Sequence, residues 1–253
     1  MGKFRILVFM NDLKTDSFFA LGAFRHKELF EGEFVWSALH RLKEYIEGVA
    51  ERKIEIEISE GVSLIDAETI SIGEGTKIEP GVLIRGPCVI GKNCAIRHGA
   101  YLRGGVILGD GCTVGHSCEV KHSIFLDGSS ASHLVYVGDS IIGNKANLSA
   151  GVKCANLRLD RKEVSVSWGG LRTKTGLKKF GAIIGDRAQV GCNCVLNPGT
   201  LIGADSVCYP LLNIGGFVPS NSRVKGTRAF SVEAIDDPKS ILKEMRTFEV
   251  GLN

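Results

Sequence analysis

The stretch that decides the fold runs from Ile72 to Leu126 and reads IGEGTKIEPGVLIRGPCVIGKNCAIRHGAYLRGGVILGDGCTVGHSCEVKHSIFL. Every sixth residue in it is aliphatic, without exception. These positions are Ile72, Ile78, Ile84, Ile90, Ile96, Leu102, Leu108, Val114, Val120 and Leu126. A six-residue period matches neither an α-helix nor a flat strand, so it predicts a solenoid.

A second set of small or β-branched residues lies four positions after the aliphatic ones. Its members are Thr76, Val82, Cys88, Cys94, Ala100, Val106, Cys112, Cys118 and Ile124. Side chains of this size fit a tight corner that points into a narrow core. Gly, Asn and Asp crowd the remaining corner positions, where the chain must turn sharply.

The same phase resumes at Tyr136 and again at Ile184. Three hexads form one coil of a triangular prism, so residues 18 apart stack, and about seven coils are expected at roughly 4.8 Å each. We therefore predict an all-β solenoid, a left-handed parallel β-helix of the hexapeptide-repeat type. The left-handed sense comes from the resemblance to known hexapeptide-repeat proteins, because the period alone does not fix it.

The chain divides into three regions at the ends of the repeat. Residues 1–60 are not repetitive, and the spacing of their apolar residues predicts a helix near 34–49. We expect this helix to cover the end of the prism, where backbone groups would otherwise stay unpaired. Residues 61–226 form the solenoid. Residues 227–253 form a tail with a short helix after Asp237.

Two breaks in the repeat predict loop insertions at corners of the prism, at 127–135 and at 155–182. In the second break, Val164 and Val166 alternate with polar residues as in a hairpin. Loops thrown out from a solenoid often carry its function, so the chemistry is expected beside them.

Composition narrows the class of protein. The net charge of +3 conceals a basic segment, 158–179, with seven basic residues against two acidic ones. The rest of the chain is slightly acidic, which argues against nucleic-acid binding; the segment is either a local seat for a phosphorylated small molecule or a solvated loop. Because no run of 18 apolar residues and no secretory signal is found, we expect a cytoplasmic protein without a membrane span.

Eight cysteines are present, and most of them fall on the small inward corner. The inward ones are Cys88, Cys94, Cys112, Cys118 and Cys194. A buried thiol behaves as a compact hydrophobe, and no Cys-x-x-Cys spacing occurs. We therefore expect all of the cysteines to be reduced and structural.

One segment after the first break carries a motif. It reads Ser132-His133-Leu134-Val135-Tyr136-Val137-Gly138-Asp139. This run resembles the Gly-His-Leu-x-Tyr-x-Gly-Asp active-site segment in the acetyltransferase domain of bifunctional N-acetylglucosamine-1-phosphate uridyltransferases. The resemblance extends in register from about residue 95 to 215. It implies acetyl transfer from acetyl-CoA to an amino-sugar phosphate like glucosamine-1-phosphate, in the synthesis of UDP-N-acetylglucosamine or cell-envelope precursors.

The resemblance also implies roles for single residues. His133 takes the place of the catalytic base. The residues that match substrate-binding positions are Arg103, Lys121, Tyr136, Asn147 and Asn156. Ala150 matches a backbone contact to acetyl-CoA, and Cys192 falls where the family has a serine near the coenzyme. No metal ligand is implied.

The residue types suit this reaction. A neutral imidazole takes a proton as the sugar nitrogen attacks the thioester carbon, which is the role assigned to His133. Arg103 offers a planar fork of donors and Lys121 a point charge, and both suit a phosphate dianion. An exposed backbone N–H at a coil edge would stabilise the oxyanion.

The chain departs from that family in several places. Residues 1–60 are too few for a nucleotidyl-transfer domain and contain no Gly-rich phosphate loop, so uridylyl transfer is not predicted. The segments Gly181-Ala-Ile-Ile-Gly-Asp and Leu196-Asn-Pro-Gly resemble archaeal-type sugar-phosphate acetyltransferases instead. Leu157 stands where an aromatic residue is usual, which leaves the acceptor sugar open.

Two other classes of protein stay open. A γ-type carbonic anhydrase shares this prism and binds zinc through three histidines, for which His98, His116 and His122 are candidates, although the six-residue spacing of the last two differs from the five of that family. A non-catalytic scaffold or sugar-phosphate sensor is the second class. Among transferases, another amino sugar or a nucleotide-linked sugar is the alternative acceptor.

Apolar strips on the prism faces, and the shared sites of related enzymes, predict a homotrimer.

Overall fold

The computed structural model describes residues 12–49, 53–168 and 170–226 and shows a parallel β-solenoid. Helix α1 spans Ser37–Val49, and short 3-10 helices span Thr15–Ser17, Lys27–Phe30 and Ala67–Thr69. The strands are β1 Ser63–Ile65, β2 Ile70–Ile72, β3 Lys77–Ile78, β4 Leu83–Arg85, β5 Cys88–Ile90, β6 Ala95–Ile96, β7 Tyr101–Leu102, β8 Val106–Leu108, β9 Thr113–His116, β10 Glu119–Lys121, β11 Ser123–Phe125, β12 Ser130–His133, β13 Tyr136–Gly138, β14 Ile141–Ile142, β15 Asn147–Leu148, β16 Lys153–Cys154, β17 Ser165–Trp168, β18 Leu171–Lys174, β19 Ala182–Ile184, β20 Gln189–Val190, β21 Val195–Leu196, β22 Thr200–Ile202, β23 Val207–Cys208, β24 Asn213–Ile214, β25 Phe217–Val218 and β26 Arg223–Val224.

The solenoid has three flat faces, each an eight-stranded parallel sheet. Face 1 has the strand order β1-β4-β7-β10-β13-β16-β21-β24, and face 2 has the order β2-β5-β8-β11-β14-β19-β22-β25. Face 3 has the order β3-β6-β9-β12-β15-β20-β23-β26. Each coil contributes one strand to every face, which confirms the predicted prism. It is eight strands deep because pairing begins at Ser63, before the regular hexads, and continues to Val224, beyond the last hexad at Ile214.

The predicted aliphatic rows fill the inside of the prism. Ile84, Leu102 and Val120 are fully buried and lie in register on face 1. At the small corner, the buried thiols of Cys94 and Cys112 lie on neighbouring coils. All eight cysteines are free, as predicted, and all but Cys192 are buried.

Two corners between face 1 and face 2 are one residue short, which shifts the phase of the repeat. Val120 and Phe125 are successive inward residues only five positions apart, and so are Val137 and Ile142. Phe125 therefore lies over Leu108 inside the prism. The six-residue frame wrongly placed three residues inside: Ile124 and Leu126 pack outside the prism, and the outward-facing Tyr136 is half-buried.

Residues 127–135 do not form an inserted loop, contrary to the prediction. They contain β12, which pairs with β9 on one side and with β15 on the other. The apparent break in the repeat is the phase shift at the short corners, after which Ala131 and Val137 take the inward positions.

The N-terminal segment, residues 13–49, lies along face 2. The prediction that its helix covers the end of the prism is therefore wrong. The outward row of face 2 is apolar and buried: Val89, Ile107, Ile124, Ile141, Ile183 and Leu201. It forms one cluster with Leu39, Leu42 and Ile46 of α1. Helical spacing correctly predicts the apolar face of α1, but it does not say which surface that face meets.

Asp186 joins the N-terminal segment to the prism. Its carboxylate accepts the N–H of Ala20 at 2.9 Å and the N–H of Asn144 at 2.8 Å. Its own N–H donates to the carbonyl oxygen of Phe18 at 2.9 Å. The segment is thus held by directed hydrogen bonds as well as by apolar burial.

The insertion between β16 and β19 contains the predicted hairpin. Strands β17 and β18 pair antiparallel, and Trp168 packs edge-on against Phe217 with ring centroids 4.8 Å apart. Nε2 of His40 on α1 lies 2.7 Å from the carbonyl oxygen of Thr175, so the hairpin also contacts the N-terminal segment. The helix predicted after Asp237 lies outside the described residues. None of the described helices is long and apolar enough to cross a membrane.

Candidate active site

His133 stands at the corner where face 3 turns into face 1. It is the last residue of β12, and its carbonyl oxygen accepts the N–H of Gly151 at 2.9 Å. This bond places Ala150 at the same corner of the next coil. The carbonyl oxygen of Ala150 accepts the N–H of Asn193, also at 2.9 Å, which places Cys192 one coil further.

Two more histidines continue this row toward the N-terminal end of the solenoid. His116 pairs in register with His133, and the ring of His98 lies parallel to that of His116 with centroids 5.7 Å apart. Nδ1 of His98 lies 2.6 Å from the carbonyl oxygen of Pro80, and Nδ1 of His116 lies 2.9 Å from that of His98. Because a carbonyl only accepts, each neutral ring carries its proton on Nδ1. The corner column is the row His98, His116, His133, Ala150 and Cys192.

The imidazole of His133 is less constrained than these two rings. It is exposed, and none of the described residues forms a hydrogen bond with it. Leu134, which follows it, has a φ of 53° and a side chain that is 60% exposed. The corner therefore projects, and both ring nitrogens of His133 are open to a bound molecule.

A second polar group lies at the opposite edge of face 1, around Asp139. Nζ of Lys121 lies 3.1 Å from Oδ2 of Asp139, and Nδ1 of His122 lies 3.1 Å from Oδ1. Nδ2 of Asn156 donates to Oδ2 of the same carboxylate. The His122 contact lacks hydrogen-bond geometry, and its buried Nδ1 has no hydrogen-bond partner among the described residues. The Asp139 cluster is the set Lys121, His122, Asp139 and Asn156.

Asp139 is ionised in this environment. Burial alone would raise the pKa of Asp139, but the contacts with His122, Lys121 and Asn156 together outweigh it and hold the pKa below its ordinary value. A carboxylate with several donors around it also fixes their positions. The ammonium of Lys121 and the amide of Asn156 are thereby held on the outer side of face 1.

Tyr136 extends across face 1 toward this cluster. Burial raises the pKa of Tyr136, and the nearby carboxylates of Asp139 and Glu119 raise it further, so its phenol is neutral. Gly138 makes room for it, because a Cβ at that position would lie 2.6 Å from both Oη of Tyr136 and Nδ2 of Asn156.

Arg103 lies one coil before Lys121 on the same face. Its N–H donates to the carbonyl oxygen of Val120 at 2.8 Å, which fixes this stacking. Its Nη1 donates to Oε1 of Glu119 at 2.5 Å, and this bond raises the pKa of Arg103 further above its ordinary value. The guanidinium also lies over the ring of Tyr101, 5.8 Å from its centroid.

The structure thus divides the predicted site residues into three groups. Arg103, Lys121, Tyr136 and Asn156 share the outer side of face 1. His133, Ala150 and Cys192 share the corner column, and no hydrogen bond or ion pair within the described residues links His133 to Arg103 or Lys121. Asn147 lies apart on face 3, paired in register with Ser130 and Gln189.

Sequence reasoning missed the structural roles of Asp139 and His122. Both occupy the short corners of the prism and have positive φ, 49° and 46°. The five-residue spacing at those corners was the available signal for them, because it marks where the turn from face 1 to face 2 is shortened.

The three histidines considered for zinc do not converge. His98 and His116 stand in the corner column, whereas His122 lies at the other edge of face 1 beside Asp139. Within the described residues, no group of three or more His, Cys, Asp or Glu side chains is arranged to hold a metal ion.

Comparison with known proteins identifies the class. The crystal structure of the Francisella novicida UDP-N-acetylglucosamine acyltransferase is similar, with a TM-score of 0.50 and 17% sequence identity over 78% of this chain and 79% of that one. A family described as "GMPPB C-terminal domain" matches residues 84–171. The fold is the left-handed parallel β-helix of the hexapeptide-repeat acyltransferases, as predicted.

Curated relatives name the activity of the class. The bifunctional sugar-1-phosphate nucleotidylyltransferase/acetyltransferase of Sulfurisphaera tokodaii is 45% identical over 34% of this chain and 22% of its own length. The bifunctional protein GlmU of Methanococcus vannielii is 39% identical over 33% of this chain. The chain thus matches only about a fifth of the length of these two relatives, 22% and 20%.

A third relative is matched over most of its length. The uncharacterized acetyltransferase YaiX of Escherichia coli O6:K15:H31 is 32% identical over 72% of this chain and 79% of its own length. The chain belongs to the hexapeptide-repeat acetyltransferase family that includes YaiX.

Proposed function

We propose that the protein is an N-acetyltransferase that moves the acetyl group of acetyl-CoA to the amine of an amino-sugar phosphate, glucosamine-1-phosphate or a close analogue. The observation that carries the proposal is the arrangement on face 1. Two cations, Arg103 and Lys121, lie on successive coils, and the corner with His133 borders the same face. The names of the bifunctional relatives, which include acetyltransferases of sugar phosphates, support the substrate class.

The phosphate of the acceptor would be held by Arg103 and Lys121. A phosphate dianion is best bound by charge-assisted hydrogen bonds, and these two side chains supply a fork and a point charge. Glu119 and Asp139 hold both side chains in place before the substrate binds. The phenol of Tyr136 and the amide of Asn156 lie on the same face, where they can meet sugar hydroxyls.

His133 would act as the general base. The free amine attacks the thioester carbon, and the imidazole takes the proton that the nitrogen loses as the C–N bond forms. When the tetrahedral intermediate collapses, the C–S bond breaks and the imidazolium returns a proton to the leaving thiolate of the coenzyme. The coenzyme would lie along the corner column, against the backbone of Ala150 and beside Cys192.

A homotrimer would complete the site. Face 2 is already covered by the N-terminal segment, so face 1 and face 3 are the sides left to meet another copy. Contact between face 3 of one copy and face 1 of the next would bring Asn147 toward the cations.

We also propose that the enzyme works in the cytoplasm, in the supply of UDP-N-acetylglucosamine or cell-envelope precursors.

The proposal is tested by measuring release of free coenzyme thiol from acetyl-CoA in the presence of glucosamine-1-phosphate. Wild type should release thiol, and His133→Ala should lose about two to four orders of magnitude in kcat with unchanged stability. His98→Ala is the matched control, because His98 stands in the same column two coils away and should keep its activity. Equal activity of wild type and His133→Ala would contradict the assigned base. Binding of the sugar phosphate without any thiol release would favour a sensor.

The trimer has its own test. Light scattering behind a sizing column should give a mass about three times the 27.2 kDa of the chain. A monomer that is fully active would contradict the shared site.

A further inference from the structure

Three cations form a straight row on the outer side of face 1. Arg85 is the last residue of β4, and Arg103 and Lys121 occupy the equivalent position on the next two coils. The inward residues before them, Ile84, Leu102 and Val120, pair in register, so the three cations stack. Neighbouring coils lie about 4.8 Å apart, and the row therefore extends over about 10 Å.

Arg85 differs from the other two cations in its partners. Glu119 neutralises Arg103, and Asp139 neutralises Lys121. Arg85 is exposed, and none of the residues in the described ranges forms an ion pair or hydrogen bond with its guanidinium. The unbalanced positive charge of the row thus lies at Arg85, one coil beyond the pair that the proposed function assigns to the sugar phosphate.

Apolar side chains lie beyond Arg85 and beside the row of cations on the same face. Ile65 precedes it in the same row, and Leu83 and Tyr101 form the neighbouring outward row. All three are half-buried, so part of each side chain faces solvent. A molecule lying over the cations from Lys121 to Arg85 would next reach this apolar patch.

We infer that the acceptor carries a diphosphate, as in a nucleoside-diphosphate-linked amino sugar; this inference rests on the proposed function and specifies its substrate. Arg103 and Lys121 hold the phosphate attached to the sugar, and Arg85 holds the second phosphate. Two adjacent phosphates present their oxygens over a span that matches neighbouring coils, and the extra negative charge meets the cation that has no carboxylate partner. The nucleoside then covers Ile65, Leu83 and Tyr101.

The experiment compares two acceptors and two variants of the full chain. Thiol release is measured with UDP-linked glucosamine and with glucosamine-1-phosphate for wild type, Arg85→Gln and Arg97→Gln. Arg97 is the matched control, because it is an exposed arginine at the edge of face 3. We expect wild type to prefer the UDP-linked sugar at least tenfold in kcat/KM. Arg85→Gln should lose about tenfold with the UDP-linked sugar, through KM, and be unchanged with the monophosphate; Arg97→Gln should match wild type with both.

Equal losses with both acceptors, no loss with either, or a wild-type preference for the monophosphate would overturn the inference while leaving the proposed function intact. A second measurement separates failure of the inference from failure of the proposed function. Calorimetric titration with UDP and with glucosamine-1-phosphate needs no turnover. UDP should bind wild type about tenfold more tightly than it binds Arg85→Gln, whereas glucosamine-1-phosphate, whose single phosphate lies at Arg103 and Lys121, should bind both equally. If no acceptor causes thiol release but UDP binding depends on Arg85, the proposed transferase function is wrong and the diphosphate-binding site is confirmed. If UDP binds wild type and Arg85→Gln with equal affinity, the inference that Arg85 holds the second phosphate is wrong.

Discussion

Lys121 and Asp139 form an ion pair, 3.1 Å from Nζ to Oδ2, that is largely removed from solvent. The pair links two successive coils at the edge of face 1, and Asn156 joins it from a third. Its carboxylate is the centre of the Asp139 cluster, so the same group stabilises the fold and positions the cation assigned to the substrate.

Removing the charge of Asp139 should therefore cost stability. In Asp139→Asn the half-buried ammonium of Lys121 loses its counter-ion, and we expect a loss of about 1 to 3 kcal/mol in the free energy of unfolding, measured in urea. Asp160→Asn is the control, because Asp160 pairs with Arg158 on the exposed surface and its loss should leave the urea midpoint unchanged. Equal midpoints for wild type and Asp139→Asn would refute the stabilising role.

The same carboxylate predicts the direction of a pH effect. The folded-state pKa of Asp139 lies below the ordinary value of 3.8, so its stabilisation is complete above that value and is lost as the pH falls through the folded-state pKa. The difference in unfolding free energy between wild type and Asp139→Asn should be constant near neutral pH and shrink below about pH 3.8. A difference that stays constant down to pH 2 would show that the shift is absent.

Asp186 should control the attachment of the N-terminal segment. In Asp186→Asn one carboxylate oxygen becomes a donor facing another donor, and we expect a loss of about 1 to 2 kcal/mol in unfolding free energy. Amide hydrogen exchange should accelerate within 13–49, most of all at Ala20. The matched control is Asp205→Asn on the adjacent coil, whose carboxylate meets Arg187 at the exposed surface. Faster exchange in both variants would indicate general destabilisation instead of local release.

Gly115 should tolerate no side chain. A Cβ there would lie 1.7 Å from the backbone oxygen of Ser132 on the next coil, and the backbone cannot give way without breaking the stack. We expect Gly115→Ala to lose about 3 kcal/mol or more, seen by calorimetry as a marked drop in Tm. Gly22→Ala is the control, because nothing lies within 4 Å of the new methyl group. A wild-type Tm for Gly115→Ala would mean that the coils are further apart than described.

Cys192 should be the one thiol of the native chain that reacts quickly. The other seven cysteines are buried, and burial raises the pKa of Cys88, Cys154 and Cys208 to about 12. Titration with a disulfide reagent should give one fast equivalent per chain, and none in Cys192→Ser. If the coenzyme lies along the corner column, acetyl-CoA should slow this reaction. Two or more fast thiols would contradict the burial of the inward corner.

The solenoid was predictable from the sequence because its period is written directly in the aliphatic residues. From Ile72 to Val120 every predicted inward residue is buried. The frame fails at Ile124, where the corner loses one residue, because a fixed period cannot register a single-residue shift. The same shift produced the false loop at 127–135, and it also concealed Asp139, although that residue was within the quoted motif.

Placement of separate pieces against one another was harder to predict. The apolar side of α1 was evident from its spacing, but a helix of this kind can pack against any apolar surface of matching size. The outward row of face 2 was present in the sequence as Val89, Ile107 and Ile141, each next to an inward residue. Such adjacent apolar pairs were the available sign that this face is buried on both sides.

The cover over face 2 has a consequence for the handling of the protein. The outward row of face 2 from Val89 to Leu201 would, if uncovered, form a continuous apolar stripe along most of the prism. The N-terminal segment of the same chain therefore covers this apolar surface. A truncated protein that begins at Lys53 would keep every coil of the repeat. We expect it to aggregate, because it lacks the segment that prevents face 2 of one molecule from packing against another.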